Sequence, residues 1–198
     1  MDKEAVVKSD YSKKLKKRYI AFDVETTGLY PNIHKIIEIG VVLFEEGEII
    51  KTFGTLVNPG VPVPKRATAI ITNAMAKAAP KEEEVYKELV DFLGDALDKK
   101  TLICAHNAKF DMSFLSETLM NLGYEGIINY VDTLSISRSL IPGLDNYKQD
   151  TVAKYFNIIN KESHRAVTDA EVCGQILWQL VNKRDSIMSN FNDKITRI

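Results

Sequence analysis

A mixed α/β domain, with a five-stranded sheet covered by helices on both faces, is the fold class predicted by this 198-residue chain. Three observations carry that prediction. Strand-like apolar runs crowd the first third of the chain, with the tight-turn pair Glu46-Gly47 between two of them. Further on, stretches with helical spacing alternate with short apolar runs, the order expected of helices packed on a sheet. Hydrophobic residues make up 45% and charged residues 27%, a balance that supports one full core and excludes disorder or a fibrous repeat.

The elements follow in order. Residues 19–24 read as a first strand, 26–32 as a loop holding Gly28 and Pro31, 36–44 as a second strand and 48–57 as a third. The three form an antiparallel meander. Residues 58–64, with three prolines and a glycine, are irregular. A short helix is predicted over 66–78, and a longer one over 82–97, where Val85, Leu89, Phe92 and Leu93 recur at helical spacing. Residues 101–105 read as a buried strand and 108–122 as a helix ended by Gly123. A short strand reaches Val131, Asp132 and Thr133 open a short helix, a further helix covers 150–156, and the last runs over 166–184. Residues 1–17 are expected to form a basic arm, 18–184 the folded domain and 185–198 a C-terminal tail, of which 190–198 resembles a linker remnant.

The formal net charge of −1 argues against binding nucleic acid by bulk electrostatics, yet leaves an enzyme acting on nucleic acid open. Positive charge concentrates in Lys8, Lys13, Lys14, Lys16, Lys17 and Arg18, a run that most often forms a solvated arm. No apolar stretch is long enough to cross a bilayer and the N-terminus lacks a signal core, so a cytoplasmic location without membrane contact is expected. Cys104 and Cys173 lie within apolar patterns without zinc-site spacing, and read as buried free thiols. The start at Met1 fits either a free-standing protein or an excised domain; the oligomeric state is left open. Trp178, with Val167, points away from the apolar stripe of the last helix, toward the arm or a partner.

The candidate chemistry rests on carboxylates where apolar residues belong. Asp23 and Glu25 stand two apart at the end of a strand, so both project to one face with Cβ atoms roughly 7 Å apart. Like charges there repel and lose hydration unless a cation neutralises them or one takes up a proton. On a helical wheel Asp111 falls within the stripe of Phe114, Leu115 and Leu122, and Asp169 beside Cys173, Ile176, Leu177 and Leu180; Glu171 and Gln175 face outward. Each aspartate singly is explained as well by capping a helix start. Together, four oxygen donors without a cysteine suit hard cations such as Mg²⁺ or Mn²⁺. His164, in the loop feeding the last helix, can deprotonate a water beside them. Of the other histidines, His34 reads as exposed, and His106 as packing or bonding the backbone.

Three blocks in order, FDVETTGL, AHNAKFDMSFL and HRAVTDA, make the chain resemble the DnaQ-like family of 3′–5′ exonucleases in its DEDDh subgroup, over nearly the whole length. Through IIEIGVV, ITNAM, VDTLSISRSL and HRAVTDAE it is similar to the exonuclease domain of the Gram-positive replicative polymerase III of the PolC type. The resemblance implies an RNase H-like fold and two divalent cations bridged by Asp23. Glu25 and Asp169 would help hold one ion and Asp111 the other, with His164 as general base. It also implies a pocket for the terminal nucleotide formed by Thr26, Thr27, Gly28, Leu29, Asn107 and Phe110. The implied substrate is the single-stranded 3′ end of DNA, cut in proofreading or repair to release 5′-mononucleotides, with a DNA polymerase as a partner. Trimming of RNA and a catalytically silent binding module are the alternatives. Ala69-Ile70-Ile71-Thr72 stands where many members carry His-Gly-Ile-Thr, which removes that histidine's contact, and neither end shows a clamp-binding peptide.

Overall fold

A computed structural model describes residues 14–64, 70–160 and 164–195, with side chains up to Ile187. Five strands, β1 (Arg18–Thr26), β2 (Ile36–Glu45), β3 (Glu48–Leu56), β4 (Leu102–Ala105) and β5 (Tyr130–Asp132), form one sheet in the order β3-β2-β1-β4-β5. The first three are antiparallel neighbours, while β4 and β5 run parallel to β1. The mixed sheet and the opening meander match the sequence prediction. Glu46 and Gly47 both have positive φ (51° and 86°), the requirement of a type I′ hairpin turn.

The helices are α1 (Asn73–Ala78), α2 (Glu82–Leu93), α3 (Ala108–Asn121), α4 (Thr133–Leu140), α5 (Gln149–Tyr155) and α6 (Ala166–Ile195). Period-two alternation along β1 decides what each face receives. Ile20, Phe22 and Val24 pack with Val85, Leu89 and Leu93 of α2 and Phe114 and Leu115 of α3. Tyr19 and Ala21 face the other way, against Ala170, Cys173 and Leu177 of α6. Asp23 and Glu25 share the parity of Tyr19 and Ala21, so the carboxylates continue the α6 face beyond the apolar core. Each large side chain buried here contributes about 1.5–3 kcal/mol, which is what holds the strand end rigid beneath its charged residues.

Several boundaries differ from the sequence reading. The first helix does not extend back to 66: residues 70–72 are irregular, because the Thr72 hydroxyl caps the Met75 N–H and Asn73 bonds both backbone groups of Val63. Residues 65–69, and with them Ala69, lie outside the described residues. The helix begun at Glu82 stops at Leu93, where Gly94 has positive φ and a 3-10 turn, Gly94–Leu97, takes over. The last helix continues past Arg184 to Ile195, into the segment read as a tail. Part of the basic arm is tied to it: residues 14–17 are helical, Leu15 is buried beside Leu177 and Val181, and Lys16 pairs with Asp185 at 2.7 Å. Trp178 is not on an outer face. Its indole covers Gly47 at the β2–β3 turn, and Val167 packs against Gly54, because α6 crosses the antiparallel half of the sheet. For the same reason Glu171 and Gln175 are half-buried rather than facing solvent. Cys104 and Cys173 are buried free thiols. No helix among the described residues is long and apolar enough to cross a membrane.

Candidate active site

β1 outruns β4 toward its C-terminal end, and the gap above β4 is a cleft of about 320 Å³. Asp23, Glu25, Asp111, His164 and Asp169 all line it, with Val24, His106, Phe110, Lys148, Gln149 and Asp150. Ligand atoms of Glu25, His164 and Asp169 lie within 4.8 Å of one another. Residues separated by more than 140 positions in sequence thus meet at one strand end.

Asp111 and Asp169 each have their own support. Asp111, 3% exposed, sits in the first turn of α3 and its Oδ1 accepts the Val24 N–H at 3.2 Å, locking the helix start to β1. Asp169, in the first turn of α6, is held from three sides. Its Oδ1 accepts Asn160 Nδ2 at 2.8 Å and Gln149 Nε2 at 3.5 Å, and its Oδ2 accepts the His164 N–H at 2.9 Å. His164 itself has φ of 67°, a left-handed turn that brings the chain from the loop into α6. His106 bonds the Tyr147 carbonyl at 2.7 Å and the Thr133 hydroxyl at 2.9 Å, as the sequence suggested, while presenting an edge to the cleft. Burial holds its pKa below the usual histidine value.

The electrostatics are those of crowded acids whose hydrogen bonds offset their burial only in part. Burial, followed by the charges of Asp111, Asp169, Glu25 and Glu38, holds Asp23 well above the usual carboxylate range. Burial and the neighbouring Asp169 and Glu38 push Glu25 up to about 7. Burial pushes Asp111 up to about 8, despite the N–H bonds that oppose it. Asp169 is raised by burial too, against the pull of Asn160 and the His164 N–H. At neutral pH such a cluster retains protons or attracts cations.

The residues expected to form a nucleotide pocket lie at the end of β1, in the loop that follows it and at the start of α3. Phe110 lines the cleft, tilted against Phe114 with ring centroids 5.0 Å apart. Thr26 and Thr27 are buried, with hydroxyls committed to the turn: Thr26 donates to the Gly28 carbonyl at 2.6 Å and Thr27 accepts the Lys35 N–H at 2.9 Å. A Cβ at Gly28 would fall 2.2 Å from the His34 ring, so glycine lets that imidazole close the loop; His34 is half-buried rather than exposed. Leu29 is 71% exposed at the loop tip. Asn107 precedes α3 in a left-handed conformation, and its N–H donates to Asp132 Oδ1 at 2.9 Å.

Residues 20–177 match the model of the RNase T exonuclease family. The chain belongs to this exonuclease family. It is 36% identical over 184 residues to the DNA polymerase III PolC-type of Caldanaerobacter subterraneus subsp. tengcongensis, covering 92% of this chain and 13% of that one. The chain therefore spans about an eighth of that relative's length. The structure of exonuclease X in complex with 5′ overhanging duplex DNA is 28% identical, with TM-score 0.64, over 83% of this chain and 90% of that one. The structure of E. coli exonuclease I in complex with a dT13 oligonucleotide shares the RNase H-like fold at 16% identity, with TM-score 0.76, over 88% of this chain and 43% of that one.

Some supporting residues of the site were read from sequence only in part or not at all. Asp132 is one: its Oδ1 accepts N–H groups of Asn107, Ala108 and Leu134, joining the starts of α3 and α4. Gln149, Asn160 and Glu38 are others. For Glu38 a signal existed, a lone glutamate inside the apolar run IIEIGVV.

Proposed function

We propose that the chain is a metal-dependent 3′–5′ exonuclease of the DEDDh type, which removes 5′-mononucleotides from single-stranded DNA ends in proofreading or repair. The observation that carries this reading is the convergence of Asp23, Glu25, Asp111, Asp169 and His164 on a single cleft. Four oxygen donors without a thiolate fit Mg²⁺ or Mn²⁺, and their raised pKa values mark a cluster with more negative charge than its burial tolerates alone.

In this reading Asp23, Glu25 and Asp169 would hold one divalent cation, and Asp111, together with Asp23, would hold a second. When bound, the cations supply an activated water and neutralise charge on the phosphate. His164, exposed beside Glu25 and Asp169, takes a proton from the water as its oxygen attacks phosphorus. The bond from phosphorus to the 3′ oxygen breaks, that oxygen acquires a proton, and a 5′-mononucleotide leaves. Phe110 and Leu29 contact the terminal base, while Thr26, Thr27 and Gly28 shape the turn on one side and Asn107 the helix start on the other. Two observations favour DNA over RNA: exonuclease X and exonuclease I are both described in complex with DNA. Similarity to a polymerase III supports action alongside a replicative polymerase.

The test is incubation of 5′-labelled single-stranded DNA and RNA with the protein and Mg²⁺, Mn²⁺ or chelator. Stepwise metal-dependent shortening of DNA from its 3′ end is expected. Degradation from the 5′ end, or equal activity in chelator, overturns the mechanism. Faster shortening of RNA selects the exoribonuclease reading, and binding without cleavage selects the silent module.

A further inference from the structure

Glu38 is the third residue of β2, where every other residue up to Phe44 is apolar or glycine and buried, and its own side chain is 4% exposed. The register places it opposite Glu25, with Gly40 opposite Asp23. Both of its oxygens are engaged. Oε1 accepts Arg165 Nε at 2.8 Å, and Oε2 accepts the Ala166 N–H at 3.2 Å. Ala166 is the first residue of α6, so the carboxylate meets a helix-end N–H that has no partner within the helix.

The floor beneath that helix start is cut to fit. A Cβ on Gly40 would fall 2.0 Å from the Ala166 carbonyl carbon, and one on its register partner Gly54 2.0 Å from Val167 Cγ2. The β2–β3 pair therefore seats the first residues of α6, and Glu38 fastens them. On the other side of the same turn the His164 N–H is held by Asp169 at 2.9 Å. His164 and Arg165 lie between the two fastenings.

We propose that Glu38 is a positioning residue: by holding Arg165 and the Ala166 N–H it fixes the His164 imidazole beside Glu25 and Asp169, without itself touching cation or substrate. The inference deepens the function proposed above and rests on that reading. A role as a ligand is disfavoured by geometry, since Glu38 is not among the residues lining the cleft, and the clustered ligand atoms belong to Glu25, His164 and Asp169.

The experiment uses the p-nitrophenyl ester of thymidine 5′-monophosphate with Mn²⁺, whose nitrophenolate leaves where the 3′ oxygen of a preceding nucleotide would. Glu38→Ala should lower kcat roughly 10- to 100-fold, the range seen for residues that orient a ligand or base, with KM changed less than about twofold. Glu38→Gln, which keeps an oxygen for the Ala166 N–H, should recover most of the loss. In a His164→Ala background, Glu38→Ala should cost less than about twofold, because its effect runs through the imidazole. Losses that multiply in the double variant, or a loss confined to KM, overturn the proposal. A second readout needs no activity: the His164 ring proton resonances of the metal-free protein should shift or broaden in Glu38→Ala, and unchanged resonances overturn it. If the wild-type protein fails to hydrolyse the ester, the exonuclease reading fails, and the resonances still decide whether Glu38 holds His164. If Glu38→Ala does not fold, Arg165→Met, altered at a partly exposed position, carries the same comparisons.

Discussion

The wall of the cleft built by β1 and α3 is the more buried and is fastened by a single carboxylate-to-backbone bond, whereas the wall built by the start of α6 is more open and is fastened by a network of side chains and backbone N–H groups. On the first, Asp111 is buried in α3 next to Met112, Phe114 and Leu115 of the main core, and the Val24 N–H that it accepts ties the helix to the strand beside Asp23. On the second, His164 is exposed, and Asp169 is steadied by Asn160, Gln149 and the His164 N–H. The contrast separates two jobs. Desolvated carboxylates repel one another and so hold a cation firmly, while a group that exchanges protons with water needs solvent beside it.

Substitutions on the two walls should therefore fail differently. Asp23→Asn, on the buried wall, should give the largest loss, exceeding the roughly 10²- to 10⁴-fold expected for a general base, and should weaken Mn²⁺ binding measured by calorimetry. The same variant should raise the melting temperature of the metal-free protein by removing a buried repulsion; a lowered value contradicts the description of this wall. His164→Ala, on the open wall, should lose roughly 10²- to 10⁴-fold in kcat while Mn²⁺ affinity stays within about threefold, which kinetics and calorimetry together check. Asn160→Ala, which loosens Asp169, should cost about tenfold in activity on DNA 3′ ends, measured by the same shortening assay.

The smallest expected effect is on stability. Glu25 and Asp111 titrate near 7 and 8 in the folded protein, against ordinary values of 4.5 and 3.8. The folded state thus keeps protons that the unfolded chain releases. Their stabilising contribution is fully present below the ordinary values and is lost as pH rises through about 7 to 8. Melting of the metal-free protein should accordingly fall between pH 5 and pH 8, by roughly 2–4 °C per kcal/mol lost, and Mn²⁺ at pH 8 should restore it. A melting temperature that rises over this range in chelator would show that the acids are compensated by something other than cations.

The buried wall was the more legible of the two in sequence. Strand parity alone puts Asp23 and Glu25 on one face, and helical periodicity alone puts Asp111 on an apolar stripe. The supports of the open wall were not legible. Gln149 and Asn160 reach Asp169 from a different helix and loop, and no period relates them to it. On the buried wall the same holds for the bonds from Asp132, at the end of β5, to the start of α3, although its place at the start of α4 was legible. The boundary at Asn73 and the burial of Trp178 depended in the same way on partners distant in the chain, Val63 and Gly47.

What the linear order of residues specified was local: which carboxylates share a strand face or a helix stripe, where the hairpin turns, and which blocks mark an exonuclease. How Glu25, His164 and Asp169 come within 4.8 Å, and why Glu38 engages the end of α6 rather than the cleft, was settled by packing. The reason is physical. Backbone periodicity projects side chains over a few residues, whereas the distance between elements far apart in sequence is set by the core they jointly bury, and by the glycines that let α6 approach β2 and β3.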